Sequence, residues 1–199
     1  MALISTLGVP VDGNATTTIM PKLSYRFRVT FIGENFDSQP TRSVIAVGRP
    51  ALQHDPIQID AYNSRIYLAG KHSWAPVSVT FRDDVDGVII TQINKQMNRQ
   101  MDHANQSGVR AGSGYKFGLL VETLDGGNPN PGVLDTYELA GCYITQVGYG
   151  DLNYGSSDQV TISMTVQYDN CEIYDSAGNP TLTGVRQTQG TSNASGAGQ

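Results

Sequence analysis

Residues 160–168 alternate without a break, with Val160, Ile162, Met164, Val166 and Tyr168 on one parity and Thr161, Ser163, Thr165 and Gln167 on the other. A strand turns successive side chains to opposite faces, so this run can bury its apolar half only as part of a sheet. Partners for it are present along the chain. Tyr25, Phe27, Val29 and Phe31 alternate with Ser24, Arg26, Arg28 and Thr30, and Val77, Val79 and Phe81 alternate with Ser78, Thr80 and Arg82. Residues 43–47 predict a short strand stopped by Gly48 and Pro50, able to form a hairpin with the strand before it. Residues 115–124 predict another. Tyr137, Leu139, Gly141, Tyr143 and Thr145 oppose Glu138, Ala140, Cys142, Ile144 and Gln146; with both parities partly apolar, this stretch predicts a central strand.

Two segments depart from that plain alternation. Residues 56–69 carry Ile57, Ile59, Tyr62, Ile66, Tyr67 and Leu68 around a polar Asn63-Ser64 turn, which predicts a projecting hairpin with more apolar side chains than a solvated loop needs. Val85, Ile89, Ile93, Met97 and Met101 recur every four residues, widened by Ile90, while Asn94, Lys95, Asn98, Arg99 and Asp102 fill the other positions. That spacing predicts one amphipathic helix over about 84–105, packed through those five residues, with Asp83 and Asp84 as caps. The first twenty-odd residues show no period, and beyond Gly184 the chain is Gly, Ser, Thr, Gln, Asn and Ala with little apolar anchor. The expected organisation is an arm over 1–23, one β domain over 24–174 and a flexible tail over 175–199.

The chemistry that would mark an enzyme is sparse. Gly148, Tyr149 and Gly150 begin like a dinucleotide fingerprint, but Asp151 follows and no helix starts there, so a turn between strands is the expectation. Asp83, Asp84, Asp86 and Gly87 resemble a calcium loop, yet placing Gly87 at its sixth position puts Arg82 where a carboxylate is required. Cys142 and Cys171 are too few for a four-ligand zinc site and read as buried hydrophobes, and His54, His72 and His103 are scattered without ligand spacing, so no metal or cofactor is expected. A formal net charge of -5 disfavours tight binding of nucleic acid, because phosphate neutralisation needs a basic footprint. Trp74 and the ten tyrosines could stack on bases or sugars, but strand-face spacing favours core or interface roles. No apolar run is long enough to span a bilayer, so membrane insertion by this chain is not expected.

The order of these parts resembles the tail-tube family of contractile-tailed bacteriophages. The stretches that carry the resemblance are Tyr25-Arg26-Phe27-Arg28-Val29, then Trp74-Ala75-Pro76-Val77-Ser78-Val79-Thr80-Phe81 leading into the helix, and Asp151-Leu152-Asn153-Tyr154-Gly155-Ser156-Ser157 before the last alternating strand. The resemblance spans residues 24–174 and implies a mainly β fold, a β-sandwich or barrel subunit with one flanking helix. It further implies a non-enzymatic structural protein of the virion tail, assembled in the host cytoplasm. Hexameric rings of it stack into a hollow tube beside sheath and baseplate proteins, and DNA passes transiently through the lumen. On that reading Thr161, Ser163, Thr165 and Gln167 face the lumen, and Ile57, Ile59, Tyr62, Ile66 and Tyr67 reach an adjacent ring. The alternatives are a secretion-system tube or baseplate ring, and a carbohydrate-binding β module.

Overall fold

The computed structural model describes residues 21–34, 36, 42–108, 114–127 and 130–182. The expected arm up to residue 20, and the tail from 183, lie outside the described residues. In chain order the elements are β1 (Phe27–Ile32), β2 (Val44–Val47), β3 (Leu52–Ala61), β4 (Ser64–Trp74), β5 (Val77–Arg82), α1 (Val88–Gln100), β6 (Met101–Asp102), β7 (Ser107–Gly108), β8 (Phe117–Leu124), β9 (Val133–Gly148), β10 (Thr161–Gln167) and β11 (Asn170–Tyr174). The fold is mainly β, with one flanking helix, as the sequence and the resemblance imply.

The sixteen residues of β9 organise the sheet. Its first part pairs with β8 on one side and β11 on the other; its last part, Tyr143 to Gly148, pairs with β10. Because β10 runs into β11 with only Tyr168 and Asp169 between them, the two act as one kinked strand along the whole of β9. The sheet order is β1-β8-β9-β10-β5-β2, all antiparallel, and it folds over a single cluster. That cluster takes Val29 and Phe31 from β1, Val77, Val79 and Phe81 from β5, Leu119 and Val121 from β8, and Ile162, Met164 and Val166 from β10. Phe31, Phe36, Phe81 and Phe117 meet at one end, with ring centres 4.8–6.2 Å apart.

Strand parity fails inside β9, and the failure is what lets one strand serve two halves of the sheet. Leu139 is buried, but the next buried residues are Cys142 and Ile144. An extra residue opposite β8 changes the phase at Gly141, whose φ of 70° is left-handed. A second bulge, at Thr145 against β10, changes it again. Beyond Cys142 no β8 residue pairs with β9, and the side-chain amide of Gln100 takes that place: it donates to the Ile144 carbonyl at 2.9 Å and accepts from the Ile144 N–H at 2.8 Å. A helix side chain thus completes a strand edge that would otherwise bury two unpaired backbone groups.

The helix is shorter than expected over 84–105. Asp83 and Asp84 do not cap it; the Asp84 carboxylate accepts the Ser43 hydroxyl at 2.9 Å, and residues 84–87 close a turn through Gly87 N–H and Asp84 C=O. Gly87, left-handed at φ 59°, stands at the start with no side-chain cap. At the other end Met101 is extended and joins the small β6–β7 ladder, while the Asp102 carboxylate accepts the Ala104 and Asn105 N–H groups and holds a turn. Consequently Ile89 and Ile93 are buried and Met97 packs against the core, but Val85 is fully exposed ahead of the helix and Met101 is 41% exposed after it. Two other placements depart from expectation. β2 pairs with β5 instead of forming a hairpin with β1, and the structured chain continues past Tyr174, where Thr181 N–H returns to the Ile173 carbonyl.

Replacing Gly141 by Ala should destabilise the subunit by about 1–3 kcal/mol, since a Cβ there meets a left-handed φ and stands 2.2 Å from the Asp169 carboxylate. Urea denaturation measures this, and Gly155→Ala, at a loop site outside the left-handed region, should change little.

Candidate assembly surfaces

β3 and β4 form a two-stranded sheet of their own, and all their residues except Gly70 and Trp74 are exposed. Register sorts the side chains. Ile57 faces Leu68 and Ile59 faces Ile66 across the ladder, whereas Gln58 faces Tyr67 and Asp60 faces Arg65. Alternation places the first two pairs on one face and the last two on the other. Of the residues expected to reach a neighbour, Ile57, Ile59 and Ile66 therefore share a face, Tyr67 lies on the opposite one and Tyr62 stands at the tip. Leu68, which belongs to the aliphatic face, was not among the expected contacts; only its cross-strand partner reveals it. Tyr62 is fully exposed with φ at 49°, the left-handed backbone that the two-residue Tyr62-Asn63 turn calls for.

The hairpin is rooted firmly. Ala75 N–H donates to Ala51 C=O at 3.0 Å, the Gln167 amide donates to Trp74 C=O at 3.1 Å, and the Trp74 ring packs 5.8 Å from that of buried Tyr168. The Trp74 indole N–H is buried with no acceptor among the described residues. Gly70 is required in β4, because a Cβ there would stand 2.6 Å from the Asp55 carbonyl oxygen at the bulge.

Further exposed apolar side chains stand in the loops that flank the other end of the β5–β10 ladder. Val77 opposite Val166 marks the hairpin end; Arg82 opposite Thr161 marks the far end, where Asp83 N–H donates to Val160 C=O. There Val85, Leu152 and Tyr154 are almost wholly exposed. About six residues of strand separate the two ends, or roughly 20 Å.

Between them, the outward face of β5 and β10 is small and polar. Ser163 faces Thr80, Thr165 faces Ser78 and Thr161 faces Arg82, and on the other side Ser163 faces Gly148 and Thr165 faces Gln146. Ser163 is exposed, while Thr161, Thr165 and Gln167 are half-buried. Gln167 spends its amide on the hairpin root, and Arg82, a cation that β10 alone does not reveal, donates to Gln159 at 2.7 Å. Strands β1, β2 and β11 each have a strand on one side only among the described residues.

The remaining chemistry is quiet. Cys142 and Cys171 are free and buried, and burial pushes each thiol up to about 12. Burial raises the Tyr168 phenol as well. The hollow at the helix start is lined by Arg42, Arg82, Asp84 and Asp86 with Ser43, whose hydroxyl is already committed to Asp84. Among the described residues no three His, Cys, Asp or Glu gather as a metal site, and no helix is long and apolar enough to cross a membrane.

No family model matches the sequence, and no curated protein matches it. Solved structures do match the fold. A chain of the anti-feeding prophage baseplate, six-fold symmetrised, superposes with a TM-score of 0.60 at 15% identity, covering 80% of this chain and 99% of that one. A chain of the anti-feeding prophage cap, which terminates its tube, gives 0.60 at 12% identity over 84% and 99%. A chain of the sheath-tube complex of the PVC extracellular contractile injection system gives 0.54 at 14% identity over 88% and 99%. The chain has the fold found in tube and baseplate assemblies of contractile injection systems, which is the fold class the tail-tube resemblance implies.

At pH 8, a thiol shifted from 9.0 to about 12 holds roughly a thousandfold less thiolate, so Cys142 and Cys171 should resist alkylation until the subunit unfolds. Between pH 9 and 12 the unfolded chain has released thiol protons that the folded chain keeps, so stability should fall as pH rises through that window. Denaturation midpoints from pH 8 to 11 test it, and Cys142→Ala with Cys171→Ala should flatten the slope.

Proposed function

We propose that the chain is a structural, non-enzymatic subunit that closes into rings and stacks them into a hollow tube of a contractile tail. The observation that carries this reading is the exposed aliphatic face of the β3–β4 hairpin on a subunit whose fold matches ring and tube assemblies. Four half-exposed aliphatic side chains on a two-stranded arm leave apolar surface that a solitary subunit has no use for. A hairpin at one end and an apolar loop group at the other form a heterologous pair of surfaces, which copies can satisfy head to tail. The one-sided strands β1, β2 and β11 are edges that neighbours in a ring can cover.

In this reading Ile57, Ile59, Ile66 and Leu68 reach an adjacent ring, with Tyr62 leading. The polar face around Thr161, Ser163 and Thr165, extended by Ser78 and Thr80, lines the channel. Gln167 serves the hairpin root instead. Small hydroxyl side chains and a net charge of -5 on each copy suit a lumen that lets DNA, or another anionic cargo, slide. Sheath and baseplate proteins are the expected outer partners, in a bacteriophage tail or a related injection device. A single ring in a baseplate or cap is the second reading, favoured by the TM-scores of 0.60 to chains of such assemblies.

Negative-stain microscopy of concentrated protein separates the two readings: long hollow rods support the tube, isolated rings support the baseplate or cap, and monomers refute both. Changing Ile57, Ile59 and Ile66 together to Ser should leave subunit stability within about 0.5 kcal/mol, since these sites are exposed, while abolishing rods. Normal rods from that variant would remove the hairpin from stacking.

Ser163→Lys with Thr165→Lys should still assemble, because the face is polar. The variant tubes should retain short duplex DNA that wild-type tubes release, and added salt should reverse it. A variant that fails to fold would place this face in the core, and the lumen assignment would be wrong.

A further inference from the structure

His54 and His72, eighteen residues apart in sequence, are directly opposed across the hairpin, with ring centres 6.2 Å apart and ring planes at 58°. We propose that the two imidazoles form a chelating site for one borderline divalent cation of the zinc, nickel or copper class. Imidazole nitrogens hold such ions at about 2.0–2.1 Å, which puts the ion roughly 3 Å from each ring centre. Two rings sharing one ion are therefore about 5–6 Å apart, close to the observed 6.2 Å.

The surroundings favour binding. Both side chains are exposed, so neither loses hydration to burial and the ion's remaining positions stay open to water. The pair sits between the rooted end at Leu52 and Trp74 and the bulge where Asp55 passes Gly70, so the backbone on either side is held in register. Counting along unbulged β3, His54 shares its face with Gln58 and Asp60, leaving the aliphatic face of Ile57 and Ile59 uncovered. No third His, Cys, Asp or Glu accompanies the pair among the described residues, so water completes the coordination and the affinity is moderate. A bound ion cross-links β3 to β4 just where the hairpin leaves the body.

The test is calorimetric titration of the untagged full chain with zinc chloride and nickel chloride. Wild type should take up one ion per chain at micromolar concentration. His54→Ala and His72→Ala should each weaken binding at least tenfold, and His103→Ala should not change it. As a check that needs no variant, substoichiometric Zn²⁺ should shift the ring resonances of His54 and His72 together. Equal binding by wild type and the His54→Ala, His72→Ala double variant would overturn the site. So would a shift confined to one ring.

Discussion

The subunit depends on the ladder between β9 and the kinked pair β10 and β11. These strands are shared by both halves of the sheet, so the core between the halves exists only while the ladder holds its register. An unbroken sixteen-residue strand would present one parity throughout and could not turn its apolar side chains inward along its whole length. The bulges at Gly141 and Thr145 resolve this by resetting the phase twice, which keeps Leu139, Cys142 and Ile144 on the same core. Where β8 stops pairing, Gln100 takes up the backbone groups of Ile144. The helix thus acts less as a cover than as a brace, inserting Ile89 and Ile93 into the core and a glutamine into the sheet edge.

That arrangement explains what the sequence revealed and what it hid. Periods short enough to be uninterrupted were legible: β5, β8 and β10 lie where alternation places them, because each keeps one face on the core along its length, and β1 does so from Phe27 on, whereas Tyr25 stands in a turn before it and is exposed. β9 was legible as a central strand but not in its faces, since a bulge erases parity without altering composition. The helix ends were misplaced for a related reason. Val85 and Met101 continue the four-residue stripe, but Gly87 in the left-handed region and the Asp102 turn stop the helix, and a stripe carries no information about caps.

Pairing was the least legible layer. That β2 joins β5, that Leu68 stands beside Ile57, and that His54 meets His72 all follow from long-range register, which no window of sequence contains. The hairpin itself was visible as an excess of apolar residues around a polar turn. Its division into an aliphatic face and a polar face was not, because Tyr67 and Ile66 are neighbours in sequence and opposites in space. The comparison with solved structures adds the fold class, but at 12–15% identity it does not reach individual residues. Residue roles therefore rest on register and exposure.

The same register gives the subunit a direction. Hairpin and apolar loops lie at opposite ends of the β5–β10 ladder, so a contact between them cannot be two-fold symmetric. In the proposed tube it would relate successive copies by translation and rotation rather than by exchange. Head-to-tail contacts of that kind continue along an axis unless something stops them, which suits the proposed tube. Lateral contacts through strand edges are different in kind: a ring closes once its rotation completes a circle, and closure hides the edges. On the proposed reading, dividing growth between an apolar arm and backbone strand edges lets the two interfaces vary in strength independently. If rings stack through this hairpin, as proposed, its root at Trp74, Gln167 and Ala51 ties the contact to the end of β10.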